Sequence, residues 1–273
     1  MKYKLIALDL DGTLKNSNNQ ITPETRETLI KAQQLGMKVV LASGRPTPGL
    51  RHEAKELQLD VYEGYLLSFN GACIMDAKTK SPIFEQTLTI DEAKKIYDQA
   101  KTFGLAVMTY KNDQVLTEDD QDKYVQVESH INDIPIDKVE HFKESLSNPI
   151  HKLLMTGEPE YVGSIEEEFK KPFGDSLSIY RSAPYFIEVM AQNIDKAASI
   201  DRLAKHLGIK QEEVIAFGDG YNDLSMIEYA GCGVAMANAV DGVKERADEI
   251  TLSHDHDGIA FMLKKLEEEL KDE

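Results

Sequence analysis

Residues 5–14, LIALDLDGTL, decide the fold of this chain. The stretch begins as an apolar run without polar alternation, which is typical of a β-strand covered on both faces. It ends in two carboxylates, Asp9 and Asp11, followed by a glycine. Residues two apart in an extended chain point to the same side, so both acids face one place. The stretch therefore predicts either a solvated turn or a strand that delivers two acids to a site.

Outward from this strand, the chain alternates between short strands and helices. The order is the helix PETRETLIKAQQLG, the strand MKVVLAS, the helix TPGLRHEAKELQL and the strand GYLLSFNGA. From about residue 72 hairpins replace the alternation, and one of them turns at Ala183-Pro184. Alternation then returns with DKAASIDRLAKHLG and VIAFGD. The pattern predicts an α/β core with a parallel sheet, residues 1–82 and 190–273, interrupted by an inserted α+β domain, residues 83–189.

The composition of the chain argues against some classes of binding partner. The 273-residue chain has a net charge of −17, which argues against the basic face that nucleic-acid binding needs. Its apolar runs are too short to cross a bilayer, and it has neither a membrane-binding basic cluster nor a signal-peptide cleavage site. Cys73 and Cys232 form neither a disulfide framework nor a metal-binding spacing. We expect a cytoplasmic protein with a small-molecule partner; its oligomeric state has no signature in the sequence.

Polar residues collect where the predicted parallel strands end. Ligands of doubly wound sheets bind beyond the carboxyl ends of the strands. The residues found at those ends are Asp9 and Asp11, then Ser43, Gly44 and Arg45, then Asn70, and finally Asp219, Asn222 and Asp223. Clustered carboxylates suit Mg²⁺, which commonly bridges to a substrate phosphate. Such an ion would let an acidic protein bind an anionic molecule.

Two further features favour phosphate binding. Ser43 offers a hydroxyl and Gly44 an unobstructed backbone N–H ahead of a predicted helix. Lys196 lies in the first turn of another predicted helix, where a cation is slightly unfavourable unless an anion is near. Each feature has a plainer alternative: Asp-Gly and Ser-Gly pairs often only make turns, and a lysine there is by default exposed.

Taken together, the motifs resemble the haloacid dehalogenase superfamily, and more closely its Cof-type hydrolases, which are mostly sugar-phosphate phosphatases. LDLDGTL is similar to the first motif, LASGR to the second, NIDKAASI to the third and FGDGYNDLSMI to the fourth. GVAMANA is similar to the strand and turn that follow in the family. The resemblance covers essentially the whole chain. It implies a Rossmann-like α/β core with a parallel sheet and an α+β cap inserted between the second and third motifs.

The resemblance also implies catalytic and metal-binding roles. Asp9 would attack phosphorus and form an aspartyl-phosphate. Asp11 would protonate the leaving alcohol and then deprotonate the hydrolytic water. Mg²⁺ would be held by the Asp9 carboxylate, the Asp11 backbone carbonyl and Asp219, with Asp223 in support. The cation and a lysine would offset the repulsion between a carboxylate nucleophile and a phosphate.

The phosphoryl oxygens would be held by a second group of residues, which the resemblance also supplies. These are Ser43, the N–H groups of Leu10 and Gly44, Lys196 and Asn222, with Arg45 and Asn70 near the substrate. The expected activity is Mg²⁺-dependent hydrolysis of a small phosphorylated metabolite.

Two alternatives remain open at this point. A phosphomutase differs only in the acceptor of the phosphoryl group. A phospho-aspartate signalling module shares the acids and the lysine, but has no use for Asp11 or for an inserted domain. The loop SHDHDG departs from the family because His254 stands where an asparagine is usual. We expect His254 and His256 to be exposed loop residues rather than a metal pair.

Overall fold

The computed structural model of the chain describes residues 2–272, of which 269–272 by backbone alone. The chain forms two compact units. The core unit comprises the chain up to Gly44, Leu50–Phe84 and the chain from Asp195 onward. The inserted unit comprises Arg45–Gly49 and Glu85–Ile194.

The strands, in chain order, are β1 Leu5–Leu8, β2 Lys38–Ala42, β3 Tyr65–Ser68, β4 Cys73–Asp76, β5 Pro82–Glu85, β6 Ala106–Lys111, β7 Gln114–Thr117, β8 Ile136–Lys138, β9 Lys152–Thr156, β10 Leu177–Ala183, β11 Phe186–Ala191, β12 Val214–Gly218, β13 Cys232–Ala235 and β14 Glu249–Ile250. The α-helices are α1 Pro23–Gln34, α2 Arg51–Glu56, α3 Ile90–Thr102, α4 Lys123–Asn132, α5 Phe142–Ser145, α6 Pro159–Lys170, α7 Lys196–Leu207, α8 Leu224–Tyr229, α9 Asp241–Lys244 and α10 Gly258–Asp272.

The core unit is built on a sheet with the strand order β14-β13-β12-β1-β2-β3-β4-β5. Neighbouring strands from β14 across to β3 are parallel, and β4 pairs antiparallel with β3. The predicted α/β class is confirmed. Because β12, β1, β2 and β3 are parallel, their carboxyl ends lie along one edge of the sheet. The residues that follow these strands are therefore neighbours in space.

Both faces of this sheet are covered by apolar side chains. Ile6 and Leu8 of β1 pack in one buried cluster, while Leu5 and Ala7 pack in another. Successive side chains of a strand point to opposite faces, so this division places apolar clusters on the two sides of β1. This explains why the first strand has no polar alternation.

Helix starts follow local capping chemistry. The Thr22 side chain accepts from the N–H of Thr25, and a proline opens α1. Thr89 and Glu92 form a capping box at the start of α3. Among the helices of residues 2–272, none combines the length and the apolar character that a membrane span requires.

The inserted unit has its own sheet, with the strand order β10-β11-β9-β6-β7-β8. Most of its pairings are antiparallel, and β7 with β8 is the parallel one. β10 and β11 form the predicted hairpin around Ala183-Pro184. Successive residues of β9 alternate between two clusters, since Leu153 and Met155 lie in one and Leu154 in the other. This unit is therefore α+β, with apolar packing on both faces of its sheet.

Candidate active site

Asp9 lies immediately beyond the carboxyl end of β1, in the middle of the core sheet. Its backbone N–H donates to the carbonyl of Phe217 in β12 at 3.0 Å, so strand pairing continues to this residue. The fixed backbone holds its side chain in the interior, where Asp9 is only 6% exposed. Asp11, two residues later, is exposed. One turn thus presents a buried carboxylate and an exposed one, and these suit different roles.

Lys196 is the first residue of α7 and is completely buried. Its ammonium donates to Asp9 Oδ1 at 2.7 Å and to Asp223 Oδ1 at 2.6 Å. The helix begins here because the Asp195 side chain accepts from the N–H of Ala198. Burial alone lowers the pKa of Lys196, but Asp223 and Asp9 raise it more, so its pKa lies above its ordinary value. Lys196 is therefore a permanent cation between two carboxylates.

Asp223 is fully buried and fixes the turn that follows β12. Its Oδ2 accepts from the backbone N–H groups of Asp219 at 3.0 Å and Gly220 at 2.9 Å. Its Oδ1 accepts from Lys196. These bonds hold the Asp219 backbone in place and connect it to the lysine. Asp223 thus orders the turn as well as adding negative charge.

The loop after β1 approaches Asp219 closely at Gly12 and Thr13. The Thr13 hydroxyl donates to Asp219 Oδ1 at 2.8 Å. Gly12 has a φ of +86°, and a Cβ there would lie 2.5 Å from Asp219 Oδ2. Glycine is required on both counts, because a larger residue would be strained and would collide with the carboxylate. Asp219 is consequently held against the loop that carries Asp9 and Asp11.

Asn238 is a residue of this site that the sequence analysis missed. Its side-chain amide donates to the carbonyl of Gly12 at 2.8 Å, and its Oδ1 accepts from the N–H of His254 at 3.0 Å. Asn238 lies in GVAMANA, which was quoted above for its similarity to the family but without a role for this side chain. It connects the loop after β1 with the loop before α10.

The carboxylates around Lys196 could hold a cation. Oxygen atoms of Asp9, Asp219 and Asp223 all lie within 4.8 Å of one another. The single ammonium of Lys196 leaves excess negative charge in this set. Burial raises the pKa of Asp9 well above its ordinary range and Asp223 adds to the rise, although Lys196 opposes it. Burial also raises the pKa of Asp219. Three carboxylate donors with uncompensated charge fit a divalent cation that prefers oxygen ligands.

Ser43 and Gly44 follow β2, the neighbour of β1. Ser43 is 3% exposed, its N–H donates to Leu67 and its carbonyl accepts from Asn70, both at 2.9 Å. Phe69 and Asn70 both have positive φ, 53° and 52°. A Cβ at Gly44 would lie 3.2 Å from the Asn70 amide. Consecutive non-glycine residues in this sparsely populated conformation indicate a tightly determined loop beside Ser43.

The remaining predicted residues lie in different surroundings. Leu10 is fully buried, and Asn222 is exposed. Arg45 belongs to the segment Arg45–Gly49, which groups with the inserted unit. Its guanidinium donates to the carbonyl of Ile131 at 2.8 Å in that unit. The structure therefore gives Arg45 a contact that the sequence does not indicate.

Of the two histidines before α10, His256 is exposed as expected, whereas the expectation is wrong for His254, whose side chain is only 17% exposed. His254 Nε2 lies 3.2 Å from the Ser17 hydroxyl, and His256 Nδ1 lies 2.7 Å from the Ser253 hydroxyl. Asp255 accepts from both the N–H and the hydroxyl of Ser17. This loop attaches to residues that follow the first motif, and its histidines form hydrogen bonds to separate serines.

Comparison with known proteins shows what this chain is similar to. The sequence model of the haloacid dehalogenase-like hydrolases matches residues 6–263. YxeH of Bacillus subtilis is 34% identical over 269 residues, which are 97% of this chain and 98% of that protein. YitU of Bacillus subtilis, named a 5-amino-6-(5-phospho-D-ribitylamino)uracil phosphatase, is 30% identical over 275 residues, 97% of each chain.

Solved structures show the same fold. A haloacid dehalogenase-like hydrolase from Bacteroides thetaiotaomicron superposes with a TM-score of 0.94 at 43% identity, covering 97% of this chain and 100% of that one. BT4131, described as a subclass IIB sugar phosphatase of the same superfamily, superposes with a TM-score of 0.80 at 28% identity, covering 96% and 98%.

Proposed function

This chain belongs to the haloacid dehalogenase-like hydrolases, and from that membership we propose that it is a Mg²⁺-dependent phosphatase acting through an aspartyl-phosphate on Asp9. Its substrates are small phosphorylated metabolites, with sugar and sugar-alcohol phosphates favoured. Phosphatase activity is the part that the similarity to YitU and BT4131 supports. The resemblance derived from the sequence motifs is thereby confirmed at the level of the family.

The observation that carries the proposal is the buried cluster around Lys196. Three carboxylates with oxygens within 4.8 Å surround one ammonium, which contacts two of them. Such a cluster is costly to bury unless further positive charge joins it. Asp9, Asp219 and Asp223 would hold Mg²⁺, together with the backbone carbonyl of Asp11. When bound, the ion would withdraw charge from the phosphoryl oxygens and so reduce their repulsion of Asp9.

The chain's own residues then divide the chemistry. Lys196 donates to Asp9 Oδ1, so we assign Oδ2 as the oxygen that attacks phosphorus. The P–O bond to the alcohol breaks as the new P–O bond forms, and Asp11 gives its proton to the leaving oxygen. In the second step Asp11 takes a proton from water, which displaces phosphate from Asp9. The phosphoryl oxygens are held by Ser43, Asn222, Lys196 and the N–H groups of Leu10 and Gly44.

Asp9 and Asp11, the two acids of this scheme, differ in their exposure to solvent. Asp9 is buried and hydrogen-bonded to a cation, which suits a fixed nucleophile. Asp11 is exposed, so it can exchange a proton with leaving alcohol and water. A general acid–base group of this kind typically contributes about 10²–10⁴-fold to the rate. The division follows from where one turn places two carboxylates.

We further propose that the inserted unit, residues 83–189 by the sequence pattern, is a cap that selects the substrate. By their names, YitU acts on a phosphoribitylamino compound and BT4131 on sugar phosphates. Both kinds of substrate carry phosphate on a hydroxylated carbon chain. This shared chemistry supports polyol and sugar phosphates as the class for this chain. Arg45 remains a candidate substrate residue, although its guanidinium here donates to Ile131.

A hydrolysis panel tests the proposal. Sugar phosphates, sugar-alcohol phosphates, pyridoxal phosphate and nucleotides are incubated with the protein and Mg²⁺, and inorganic phosphate is measured. We expect release from several sugar or polyol phosphates, loss of release in EDTA and recovery on adding Mg²⁺. Full turnover in EDTA would exclude the metal role. Transfer to a second hydroxyl without phosphate release would identify a mutase instead.

A further inference from the structure

A second buried ion pair lies close to the candidate site without belonging to it. Lys15 Nζ lies 2.9 Å from Glu53 Oε1, and the two side chains are only 6% and 5% exposed. Lys15 ends the loop that follows β1, and Glu53 lies in α2. Neither residue has a role in the reaction proposed above.

Stability alone does not account for this pair. A buried ion pair is often no more stabilising than an apolar pair of the same volume, because both charges lose their hydration. Glu53 Oε2 is also buried and has no hydrogen-bond partner, which adds to the cost. Apolar residues lie near both partners in the chain, since Leu14 precedes Lys15, Leu50 lies three residues before Glu53, and both leucines belong to one buried cluster. An apolar pair would suit such a place.

The pair joins the loop after β1 to α2, the α-helix that follows the Ser43–Gly44 loop. The N–H of Lys15 donates to the carbonyl of Leu10 at 2.9 Å, and the backbones of Asp11 and Lys15 form a β-bridge. Lys15 is thus fixed to the segment that presents Asp9 and Asp11. Glu53 lies in α2, the first α-helix after Ser43 and Gly44, and a 3-10 turn at Thr47–Leu50 leads into that helix. A contact between their side chains therefore connects the loop after β1 with the chain that follows β2.

We propose that the Lys15–Glu53 ion pair sets the spacing between these two loops, so that both engage one phosphoryl group. Lys15 and Glu53 are positioning residues that act through Asp11 on one side and through Ser43 and Gly44 on the other. An ion pair fixes the relative position of two segments, because its two charged groups must meet at one place. Apolar side chains can pack against each other in several arrangements and therefore fix that position less closely. This inference rests on the proposed phosphatase function.

The test replaces the ion pair with an apolar pair. In Lys15→Met/Glu53→Leu we expect a thermal unfolding midpoint equal to or above that of the unchanged protein. We expect kcat for p-nitrophenyl phosphate with Mg²⁺ to fall about 10- to 100-fold, since a misplacement of about 1 Å can cost 10²-fold. KM should change less. Orthovanadate, a phosphoryl analogue, should bind more weakly in equilibrium titrations, and this readout does not depend on turnover.

A matched control lies at the other end of β2. Lys38 Nζ contacts Glu63 Oε2 at 2.9 Å, and Lys38 opens the strand whose far end leads to Ser43. Lys38→Met/Glu63→Leu should leave kcat and orthovanadate affinity unchanged. Glu53→Gln keeps the side-chain length and one acceptor for Lys15, so it should show a smaller fall in kcat of the same direction.

The possible results distinguish failure of the proposed phosphatase function from failure of the positioning role of Lys15 and Glu53. If the unchanged protein hydrolyses no phosphate ester, the proposed function fails. If it does, and the folded double variant keeps its kcat and its orthovanadate affinity, the positioning role is overturned. If the double variant does not fold, Glu53→Gln decides: a lowered kcat at an unchanged unfolding midpoint supports the role, and an unchanged kcat rejects it.

Discussion

Lys196 in the core unit and Lys152 in the inserted unit are both buried, and the two lysines differ in their charge balance. In the core unit, Lys196 contacts Asp9 and Asp223 within a set of three carboxylates. In the inserted unit, Lys152 contacts Glu188 at 3.3 Å, with both side chains about equally buried. The remaining oxygen of Glu188 accepts from the Tyr180 hydroxyl at 2.6 Å. Lys196 is outnumbered by the carboxylates of its cluster, whereas Glu188 is matched by the ammonium of Lys152; we call Lys152–Glu188 the balanced pair.

Under the proposed function, this difference separates a reactive site from a structural one. A carboxylate matched by one ammonium and one hydroxyl has no need of another cation. The Lys196 cluster keeps excess negative charge, and burial raises the pKa of Asp9 and Asp219 in it. That excess of negative charge is the basis of the proposed cation site. Most of the changes below alter either the Lys196 cluster or the Lys152–Glu188 pair.

Asp9→Asn should have the largest effect. It removes the nucleophile, so turnover should fall at least about 10³-fold. It also removes one of the crowded charges, so the unfolding midpoint should stay equal or rise. Phosphate release and circular dichroism measure these two quantities. Asp60→Asn, an exposed aspartate of the core unit, is the control that should change neither. Retained turnover in Asp9→Asn would reject the assigned nucleophile.

Lys196→Met should damage stability and activity together. It leaves the carboxylates without their ammonium, which costs about 3–5 kcal/mol for a buried pair broken on one side. Turnover should fall about 10²-fold through the loss of one charge-stabilising donor. Denaturant unfolding and initial rates in Mg²⁺ measure both. A stable, fully active variant would mean that the charge balance described here is wrong.

Mg²⁺ should stabilise the protein through the core unit. A ligand at 100 times its dissociation constant stabilises the folded state by about 2.7 kcal/mol. We expect a Mg²⁺-dependent rise in the unfolding midpoint that Asp219→Asn reduces. Glu188→Gln, in the balanced pair, should leave that rise intact. An equal response to Mg²⁺ in the Asp219→Asn variant would place the ion elsewhere.

Replacing the balanced pair should matter little. Lys152→Met/Glu188→Leu exchanges a buried ion pair for an apolar one, which is often neutral or stabilising by about 1–4 kcal/mol. Turnover of p-nitrophenyl phosphate should change less than about threefold, because no group of the proposed reaction is removed. A loss of turnover as large as that of Lys196→Met would show that the two lysines are functionally alike.

We expect the smallest effect on the pH dependence of stability, through His151 of the inserted unit. His151 contacts Glu85 at 2.9 Å, and burial lowers the pKa of His151 even though Glu85 opposes the shift. The unfolded chain therefore takes up a proton near pH 6.5 before the folded chain does. Stability should fall as pH drops below about 6.5, and His151→Gln should flatten that slope in denaturant titrations. An identical slope in the variant would contradict the assignment.

Much of the site could be predicted from the sequence because parallel strands share an edge. The acids that end two strands, Asp9 and Asp219, come together for that reason, and Lys196 joins them from the start of α7. The default expectation for a lysine in a first turn is exposure, yet this one is completely buried. Its pairing depends on where α7 packs, which local pattern does not specify.

Other contacts have no local signal. Thr13 and Asp219 are 206 residues apart, and Asn238 reaches Gly12 across 226. The Lys15–Glu53 pair likewise joins two distant segments. A lysine and a glutamate are by default expected to be exposed, so neither residue signals a buried contact. Arg45 shows the opposite case, because its position after Ser43–Gly44 suggests a substrate contact while its guanidinium donates to Ile131. Side-chain direction in loops is decided by packing rather than by composition.

The most direct test of the central claim traps the phosphoryl group on the enzyme. The protein is mixed with a substrate labelled in its phosphoryl group, quenched in acid within the first turnover and digested for mass spectrometry. The account predicts an acid-stable phosphoryl label on the peptide that carries Asp9, and none in Asp9→Asn. Turnover without that label, or with the label on another residue, would contradict it.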